Sequence, residues 1–442
     1  MRGARLRQCA ILVGGLGTRL GALTQDTPKP LLEIGDRPFL AWLMRELCRY
    51  GVEEVVLLTG HLSERVRTQA EALAARLPRK MDIRIAEEPF RAGTGGALHH
   101  ARHLLDERFL LCNGDSLFDT NLARLLADSA ADGVDVLGRL TLRRLPDAGR
   151  FGVVELDGDR VVAFRERPDA ALPAIINAGI YVISQGLIDH CAPECSLERD
   201  VMPKLAAAGA LRGTLGEGYF RDIGIPEDLE AGRAEIPARL HRPALFLDRD
   251  GVLNHDHGWV GTRERFEWTD GAREAVAYAT ARGMHVFVVT NQSGVARGHY
   301  DEDAVRELHG WIDGEMIRAG GTIDDFRYCP YHPEAALEPY RQASDWRKPA
   351  PGMILDLIRA WELNPARCLL VGDNQTDIAA AEAAGVAGHL FSGGNLLACV
   401  APLVDDLLNR AQRDDLLERA QREDLQRRAQ RDGGALGTTT VR

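Results

Sequence analysis

The sequence predicts two consecutive α/β domains, each with helices on both faces of a sheet, followed by a charged tail that is helical or disordered. Three observations predict this. The chain has 442 residues, too many for one ordinary core and enough for two or three at roughly one domain per 150 residues. Short apolar runs alternate with helix-period segments in two separate series. Two unlike phosphate motifs, Gly14-Gly15-Leu16-Gly17-Thr18-Arg19 and Asp248-Arg249-Asp250-Gly251, each follow an apolar run.

In chain order, Ala10 to Val13, Val55 to Leu58 and Phe109 to Cys112 read as buried strands with helical patterns between them, the βαβ rhythm of a mostly parallel sheet. From about 135 to 183 strand-like runs such as Gly152 to Leu156 and Ile175 to Ile183 dominate, which adds an antiparallel section and makes the sheet mixed. The first domain is placed at 1–235 and a short linker at 236–243, with Pro237 and Pro243. Ala231 to Pro243 spans at most roughly 45 Å at about 3.5 Å per residue, so the two halves are expected to touch. A second βα series at 244–400 has strands at Ala244 to Leu247, Val286 to Val289 and Leu369 to Val371, and helices near 271–282, 302–318 and 351–361. Residues 401–442 are the tail, in which Arg-Ala-Gln-Arg recurs at 410, 419 and 428 and Leu416, Leu417 and Leu425 make too thin an apolar stripe for an oligomerising helix.

With 45% hydrophobic and 27% charged residues the composition is that of a soluble globular protein. A net charge of -11 argues against nucleic acid as a partner, while local arginines and lysines can still hold small anions. The eight cysteines are scattered and several fall in apolar strands, as expected of a reducing compartment. The basic start from Met1 to Arg5 runs straight into the glycine loop and lacks the apolar stretch of a signal peptide, and no segment is apolar for long enough to span a bilayer. A cytoplasmic protein without nucleic-acid or membrane partners is expected; the oligomeric state is not legible.

A glycine loop after a buried strand lets backbone N–H groups cradle a triphosphate, and Gly14, Gly15, Gly17 and Thr18 fit that need, with Arg19 to neutralise its oxygens. Pro28-Lys29-Pro30, Gly93 to Leu98, Asn113-Gly114-Asp115, Glu166-Arg167-Pro168, Asn177-Ala178-Gly179 and Asp222 to Asp228 follow in order. This series resembles the sugar-1-phosphate nucleotidyltransferases over about residues 8 to 230. The resemblance implies a Rossmann-like, GT-A-like fold, nucleotide contacts at Gly95 and Gly96, and sugar-phosphate contacts at Gly152, Glu166, Arg167 and Asn177. Arg167 stands where the family has lysine. The carboxylates Asp115 and Asp222 suit Mg²⁺, and Arg19 and Lys29 are the expected catalytic cations as sugar phosphate displaces pyrophosphate.

An Asp-x-Asp pair at a strand end supplies one carboxylate, Asp248, for attack on phosphorus and a second, Asp250, for proton transfer. Thr290-Asn291-Gln292, Lys348, and Gly372-Asp373 with Asp377 complete a set that resembles the haloacid dehalogenase-like (HAD) phosphatases, whose fold is a Rossmannoid parallel sheet. The resemblance implies a phosphoryl contact for Thr290, a catalytic role for Lys348, and Mg²⁺ held by Asp248, Asp373 and the backbone carbonyl of Asp250. The flanks Thr290 to Gly298, Cys329-Pro330-Tyr331-His332-Pro333 and Arg347 to Met353 resemble heptose 1,7-bisphosphate and histidinol phosphatases, and place Asn291 and Arg347 at substrate phosphate. Those relatives often carry zinc on four Cys and His ligands; Tyr331, Ser344 and Trp346 stand at three of those positions here, so zinc is not expected. His99-His100 and His255-x-His257 are expected to be solvated or locally hydrogen-bonded, with substrate contact open for the latter pair.

The two resemblances together imply a bifunctional enzyme. Its phosphatase would take heptose 1,7-bisphosphate to heptose 1-phosphate, and its transferase would join that product to a nucleotide, GTP being the one implied, as in D-glycero-alpha-D-manno-heptose 1-phosphate guanylyltransferases, for surface polysaccharides. Two alternatives stay open: a mannose- or glucose-type sugar 1-phosphate beside a phosphatase of different substrate, or a catalytically silent second domain.

Overall fold

The computed structural model describes residues 6–434 apart from 16, 61, 150 and 166–172, and the side chains of 416 and 418–434 are likewise not described. The first half forms a nine-stranded mixed sheet in the order Asp82–Glu87, Glu54–Thr59, Gln8–Leu12, Arg108–Asn113, Ala174–Ser184, Gly138–Leu145, Leu211–Gly216, Arg160–Arg165, Val153–Asp157. The first four strands run parallel, and their apolar residues, such as Ile11, Val56 and Leu111, are fully buried because helices cover both faces. The expected antiparallel section is present: Ala174–Ser184 runs against both neighbours, and Val153–Asp157 pairs with Arg160–Arg165. A separate two-stranded ribbon pairs Ser116–Phe118 with Phe220–Asp222, which sets Asp222 directly across from Ser116.

The second half is a five-stranded, all-parallel sheet in the order Asp325–Cys329, His285–Asn291, Ala244–Leu247, Cys368–Gly372, Ala387–Leu390. Helices at Ala272–Ala281, Glu302–Arg318 and Gly352–Trp361 match the expected ones within a residue or so. Gly14, Gly114 and Asp115 in the first half, and Asp248 and Asp373 in the second, follow strands at their C-terminal ends, where open α/β sheets place their ligands.

Two expectations are corrected. The tether at 231–243 is mostly helix: Pro226–Leu240 is continuous, and only His241 to Pro243 connect it to the next strand. Pro237 is accommodated because its ring fills the space beside Gly35, where a Cβ would stand 2.6 Å away. The tail does not begin at 401, since the helix Leu396–Gly434 starts inside the second half; Leu396, Val400, Val404 and Leu407 are buried in that half's core, and Ala411 is buried as well. Their i, i+4, i+7 spacing is a helix face, masked in the sequence by the charged repeat that follows it.

The halves are fastened by charge as well as by apolar packing. Met44, Tyr50 and Met81 share one core with Phe246, Phe287 and Trp361. Arg49, 1% exposed, donates to Asp324 Oδ1 at 2.8 Å and to the Met284 carbonyl at 2.8 Å. Asp324 also accepts from the Val286 N–H at 2.6 Å and lies 3.4 Å from His285 Nδ1. Arg242 bridges Glu46 at 2.8 Å and Asp119 at 2.9 Å, Asn121 donates to the Gly320 carbonyl, and Arg45 to that of Trp361. Burial works against the Arg49 charge, but Asp324 and Glu46 more than restore it; burial drives the His285 pKa down to about 4 against the pull of Asp324.

Because removing one partner strands a buried charge, Arg49→Met should cost about 3–5 kcal/mol in equilibrium unfolding. His285 makes a second expectation. The unfolded chain takes up a proton near pH 6.5 that the folded chain refuses until about 4, so stability falls as pH drops through that window, by up to about 3 kcal/mol. His285→Phe, set among Phe287 and Trp361, should flatten the slope of the unfolding midpoint against pH between 4 and 6.5.

Candidate active sites

A cavity of about 310 Å³ opens at the C-terminal ends of Gln8–Leu12 and Arg108–Asn113, with Gly14, Gly15, Lys29, Glu88, Thr94 and Asp115 in its wall. Gly17 takes the left-handed conformation (φ 62°) that starts the turn Thr18–Thr24, and Thr24 Oγ1 donates back to the Gly17 carbonyl at 3.0 Å. Leu16 lies outside the described residues. Arg19 and Thr18 are exposed and are not among the residues lining this cavity.

Lys29 Nζ donates to Asp115 Oδ2 at 2.7 Å. The ribbon brings Asp222 to the same place, with Ser116 Oγ 3.3 Å from Asp115 and 3.5 Å from Asp222. Burial raises the Asp222 pKa and the Asp115 charge raises it further, while Lys29 and Arg19 pull it back. Two hard oxygen donors that repel one another beside a lysine fit a divalent cation of the Mg²⁺ kind.

Several expected contacts are placed differently. The N–H groups of Gly95 and Gly96 both donate to the Cys195 carbonyl, at 3.0 and 3.1 Å, so they are not free for a nucleotide. A Cβ on Gly95 would stand 2.6 Å from Cys195 Sγ and one on Gly96 2.6 Å from the Pro193 carbonyl, so glycine is required here for packing. Gly93 and Thr94 line the cavity instead. Asn177 donates to the Tyr181 hydroxyl at 2.6 Å and accepts from the Gly179 N–H, and Gly152 offers its carbonyl to the Asn177 N–H at 3.2 Å; neither is in the cavity wall. Glu166 and Arg167 lie outside the described residues.

In the second half, oxygens of Asp248, Asp373 and Asp377 lie within 4.8 Å of one another. A glycine at each approach permits this: a Cβ on Gly251 (φ 88°) would stand 2.1 Å from Asp373, and one on Gly372 2.3 Å from Asp377. Lys348, 4% exposed, reaches in with Nζ at 2.8 Å from Asp248 and 2.6 Å from Asp377, and donates to the Val289 carbonyl at 3.0 Å. Burial disfavours the Lys348 charge, but the two aspartates more than compensate and its pKa is raised. The Asp248 pKa is pushed up to about 7, by burial first and by Asp377 and Asp250, against Lys348. Three carboxylates facing one lysine leave negative charge for a hard divalent cation to balance.

Asp377, absent from the expected ligands, thus joins the cluster, and the Asp250 side chain stands apart from it. Its carboxylate accepts from Arg249 at 2.9 Å, Gln292 at 2.8 Å and Asn254 at 3.0 Å, with Arg249 fully buried. Thr290 Oγ1 accepts from Gln292 at 2.8 Å. Asn291, expected at substrate phosphate, instead grips the backbone of Lys348, donating to its carbonyl and accepting from its N–H, both at 3.1 Å. It is a clamp on the lysine. Arg347 is half-buried and points a guanidinium N–H at the Tyr331 carbonyl, 3.5 Å away.

Where relatives hold zinc, Tyr331 and Trp346 pack against the core, Tyr331 meets the Tyr340 ring at 6.1 Å, and Ser344 hydrogen-bonds Cys329. His257 binds Glu267 at 2.7 Å, while His99 and His100 bond the carbonyls of Cys191 and Pro193 at 3.0 Å, partners distant in the sequence and not the local ones expected. Sequence reasoning missed Glu88, which stands in the cavity wall with a pKa raised by partial burial; beside Glu87 it reads as one of two solvated acids. Among the described residues no helix is long and apolar enough to cross a membrane.

A family model for nucleotidyl transferases matches residues 9–239, and a HAD-hydrolase-like model matches residues 345–404. The D-glycero-beta-D-manno-heptose-1,7-bisphosphate 7-phosphatase of Rhodopseudomonas palustris is 50% identical over 155 residues, 35% of this chain and 86% of that protein. The D-glycero-alpha-D-manno-heptose-1,7-bisphosphate 7-phosphatase of Burkholderia mallei is 44% identical over 156 residues, 35% of this chain and 79% of that protein. Among solved structures, HddC from Yersinia pseudotuberculosis is 29% identical, covers 52% of this chain and 98% of its own, and has a TM-score of 0.45.

The carboxylate cluster generates a direct expectation. Asp377→Asn should weaken Mg²⁺ binding by about 10- to 100-fold, read as a higher Mg²⁺ concentration needed to raise the unfolding midpoint.

Proposed function

We propose that this chain, which belongs to the nucleotidyl transferase family through residues 9–239 and to the heptose-1,7-bisphosphate 7-phosphatase family through its second half, carries out two successive steps of nucleotide-sugar synthesis. The phosphatase takes the C7 phosphate from heptose 1,7-bisphosphate. The transferase joins the resulting heptose 1-phosphate to a nucleoside monophosphate unit, with GTP as donor and pyrophosphate as leaving group. What carries the reading is the 50% identity to a heptose bisphosphatase together with Asp248, Asp373 and Asp377 gathered on Lys348.

In the phosphatase, Asp248 Oδ attacks phosphorus, the bond from phosphorus to the C7 oxygen breaks, and Asp250 gives that oxygen a proton. Water then attacks the aspartyl phosphate, Asp250 takes back a proton, and inorganic phosphate leaves. Arg249, Gln292 and Asn254 hold the Asp250 carboxylate for this exchange, Thr290 binds the phosphoryl oxygens, and Arg347 faces the second phosphate of the substrate. Lys348, oriented by Asn291, holds the nucleophile's charge in place. In the transferase an oxygen of the sugar phosphate attacks the α-phosphorus of the nucleotide, and Arg19, Lys29 and the loop of Gly14, Gly15, Gly17 and Thr18 stabilise the charge on the phosphates. Mg²⁺ would be held by Asp248, Asp373 and Asp377 in one site and by Asp115 and Asp222 in the other, where it neutralises phosphate oxygens when bound.

Purified protein given heptose 1,7-bisphosphate, GTP and Mg²⁺ should release phosphate and pyrophosphate and form a nucleotide-linked heptose. Asp248→Asn should abolish phosphate release while leaving pyrophosphate release from supplied heptose 1-phosphate, and Asp222→Asn should do the reverse. No phosphate release from the bisphosphate by the wild-type chain would sink the heptose assignment.

A further inference from the structure

The two-stranded ribbon that carries the transferase carboxylates is fastened to the other half of the molecule. At one end Asp222 stands across from Ser116 and the Ile223 N–H donates to the Asp115 carbonyl at 2.9 Å, so the two carboxylates keep the spacing that the ribbon sets. At the other end the chain leaves Ser116–Phe118 through Asp119, Thr120 and Asn121 and reaches the joint between the halves. The Asp119 N–H closes the ribbon on the Tyr219 carbonyl at 2.8 Å, and the Asp119 carboxylate accepts from Arg242 at 2.9 Å. Arg242 is buried in the connector and donates as well to the Gly283 carbonyl of the second half, at 3.3 Å. Asn121 crosses the joint with a single side chain. Its Oδ1 accepts the Ala123 N–H at 3.0 Å, capping the helix Leu122–Ala130, and its Nδ2 donates to the Gly320 carbonyl of the second half at 2.8 Å. The opposite strand of the ribbon is tied to the helix that leads into the connector, where Arg221 donates to Asp228 at 2.8 Å and to Glu235 at 2.6 Å.

Such ties matter because a ribbon of two strands is only marginally stable by itself in water. Asp115 and Asp222 also repel one another until a cation lies between them, and that repulsion acts to open the ribbon. From Asp115 to Asp119 the chain advances at most about 13 Å, at roughly 3.3 Å per residue, so a loose far end is felt at the carboxylates. A displacement of about 1 Å at a reacting centre can cost roughly 100-fold in rate. We propose that the second half is a structural part of the transferase site: through Asn121 and Arg242 it braces the ribbon that sets Asp115 against Asp222. Both are positioning residues, since neither lines the cavity. The inference rests on reading those two aspartates as the transferase's cation pair, and it is independent of base and sugar.

Hydrogen–deuterium exchange of the full chain, without metal or nucleotide, reads the brace directly. Asn121→Ser keeps an acceptor for the helix cap but is too short to reach Gly320, so only the tie across the joint is lost. Amides of 116–120 and 219–223 should exchange about 5-fold faster, as loss of one hydrogen bond predicts, while those of Gln8–Leu12 and Glu54–Thr59 stay as they were. Arg242→Lys keeps a charge for Asp119 and Glu46 without the fork that reaches Gly283, and should act in the same direction. Mn²⁺ titration followed by electron paramagnetic resonance should show the site that Asp222→Asn removes weakened about 10-fold in Asn121→Ser, and the site that Asp373→Asn removes unaltered. In turnover, transfer should need more Mg²⁺ while phosphate release keeps its own requirement. Unchanged exchange in the ribbon, or a first-half Mn²⁺ site left at full affinity, would overturn the brace even where the unfolding midpoint drops. A wild-type chain with no Mn²⁺ site sensitive to Asp222→Asn would overturn the cation-pair reading instead, and the ribbon amides would still decide whether the second half holds it.

Discussion

Like charges have to be held together in both sites, and much of the architecture exists to resist their repulsion. Asp248 follows one strand of the parallel sheet and Asp373 and Asp377 follow its neighbour, Asp377 in the first turn of the helix Gln375–Ala383, and glycines at 251 and 372 remove the side chains that would keep them apart. Lys348 is the counterweight, buried and held by Asn291 at its backbone and by two carboxylates and a carbonyl at its tip. The first site solves the same problem with other parts. A short ribbon carries Asp222 across from Ser116, next to Asp115, and Lys29 supplies the balancing charge. In each case burial raises the proton affinity of a carboxylate, which is the electrostatic signature of a place built to receive a cation and phosphate together.

The sequence was most legible where chemistry depends on residue type at a strand end. Asp248, Thr290 and Asp373 stand at or near strand ends where a parallel sheet presents them, Lys348 reaches them from the loop before Gly352–Trp361, and both sheets follow from the rhythm of apolar runs. It was least legible where a residue serves its neighbours. Gly95 and Gly96 look like nucleotide-contacting glycines, but they let a helix press on the backbone of Pro193 and Cys195, a contact nearly a hundred positions away that no local pattern encodes. Asn291 reads as a ligand from its place beside Thr290, and only the fold shows its amide spent on Lys348. The helix through Pro237 and the buried stripe from Leu396 to Ala411 were hidden for simpler reasons: a proline that ordinarily ends helices finds room against Gly35, and a charged repeat masks the apolar face before it.

The joint between the halves combines an apolar core with buried ion pairs. Such pairs add less net stability than their Coulomb attraction suggests, because each charge has first to leave water. What they do impose is register: Arg49 finds Asp324 and the Met284 carbonyl, and Arg242 finds Glu46 and Asp119, in only one relative placement of the two sheets.

That placement also decides how the two halves can communicate. The hydrogen bonds and ion pairs that the second half makes in this joint, from Gly283 and Met284 to Gly320, Asp324 and Trp361, lie at or before the N-terminal ends of its strands, while its carboxylate cluster lies at their C-terminal ends. The strand Ala244–Leu247 alone separates the two by roughly 13 Å at about 3.3 Å per residue. The joint and the carboxylate cluster therefore stand at opposite ends of the second sheet. Joining the halves in one polypeptide fixes their copy numbers at one to one.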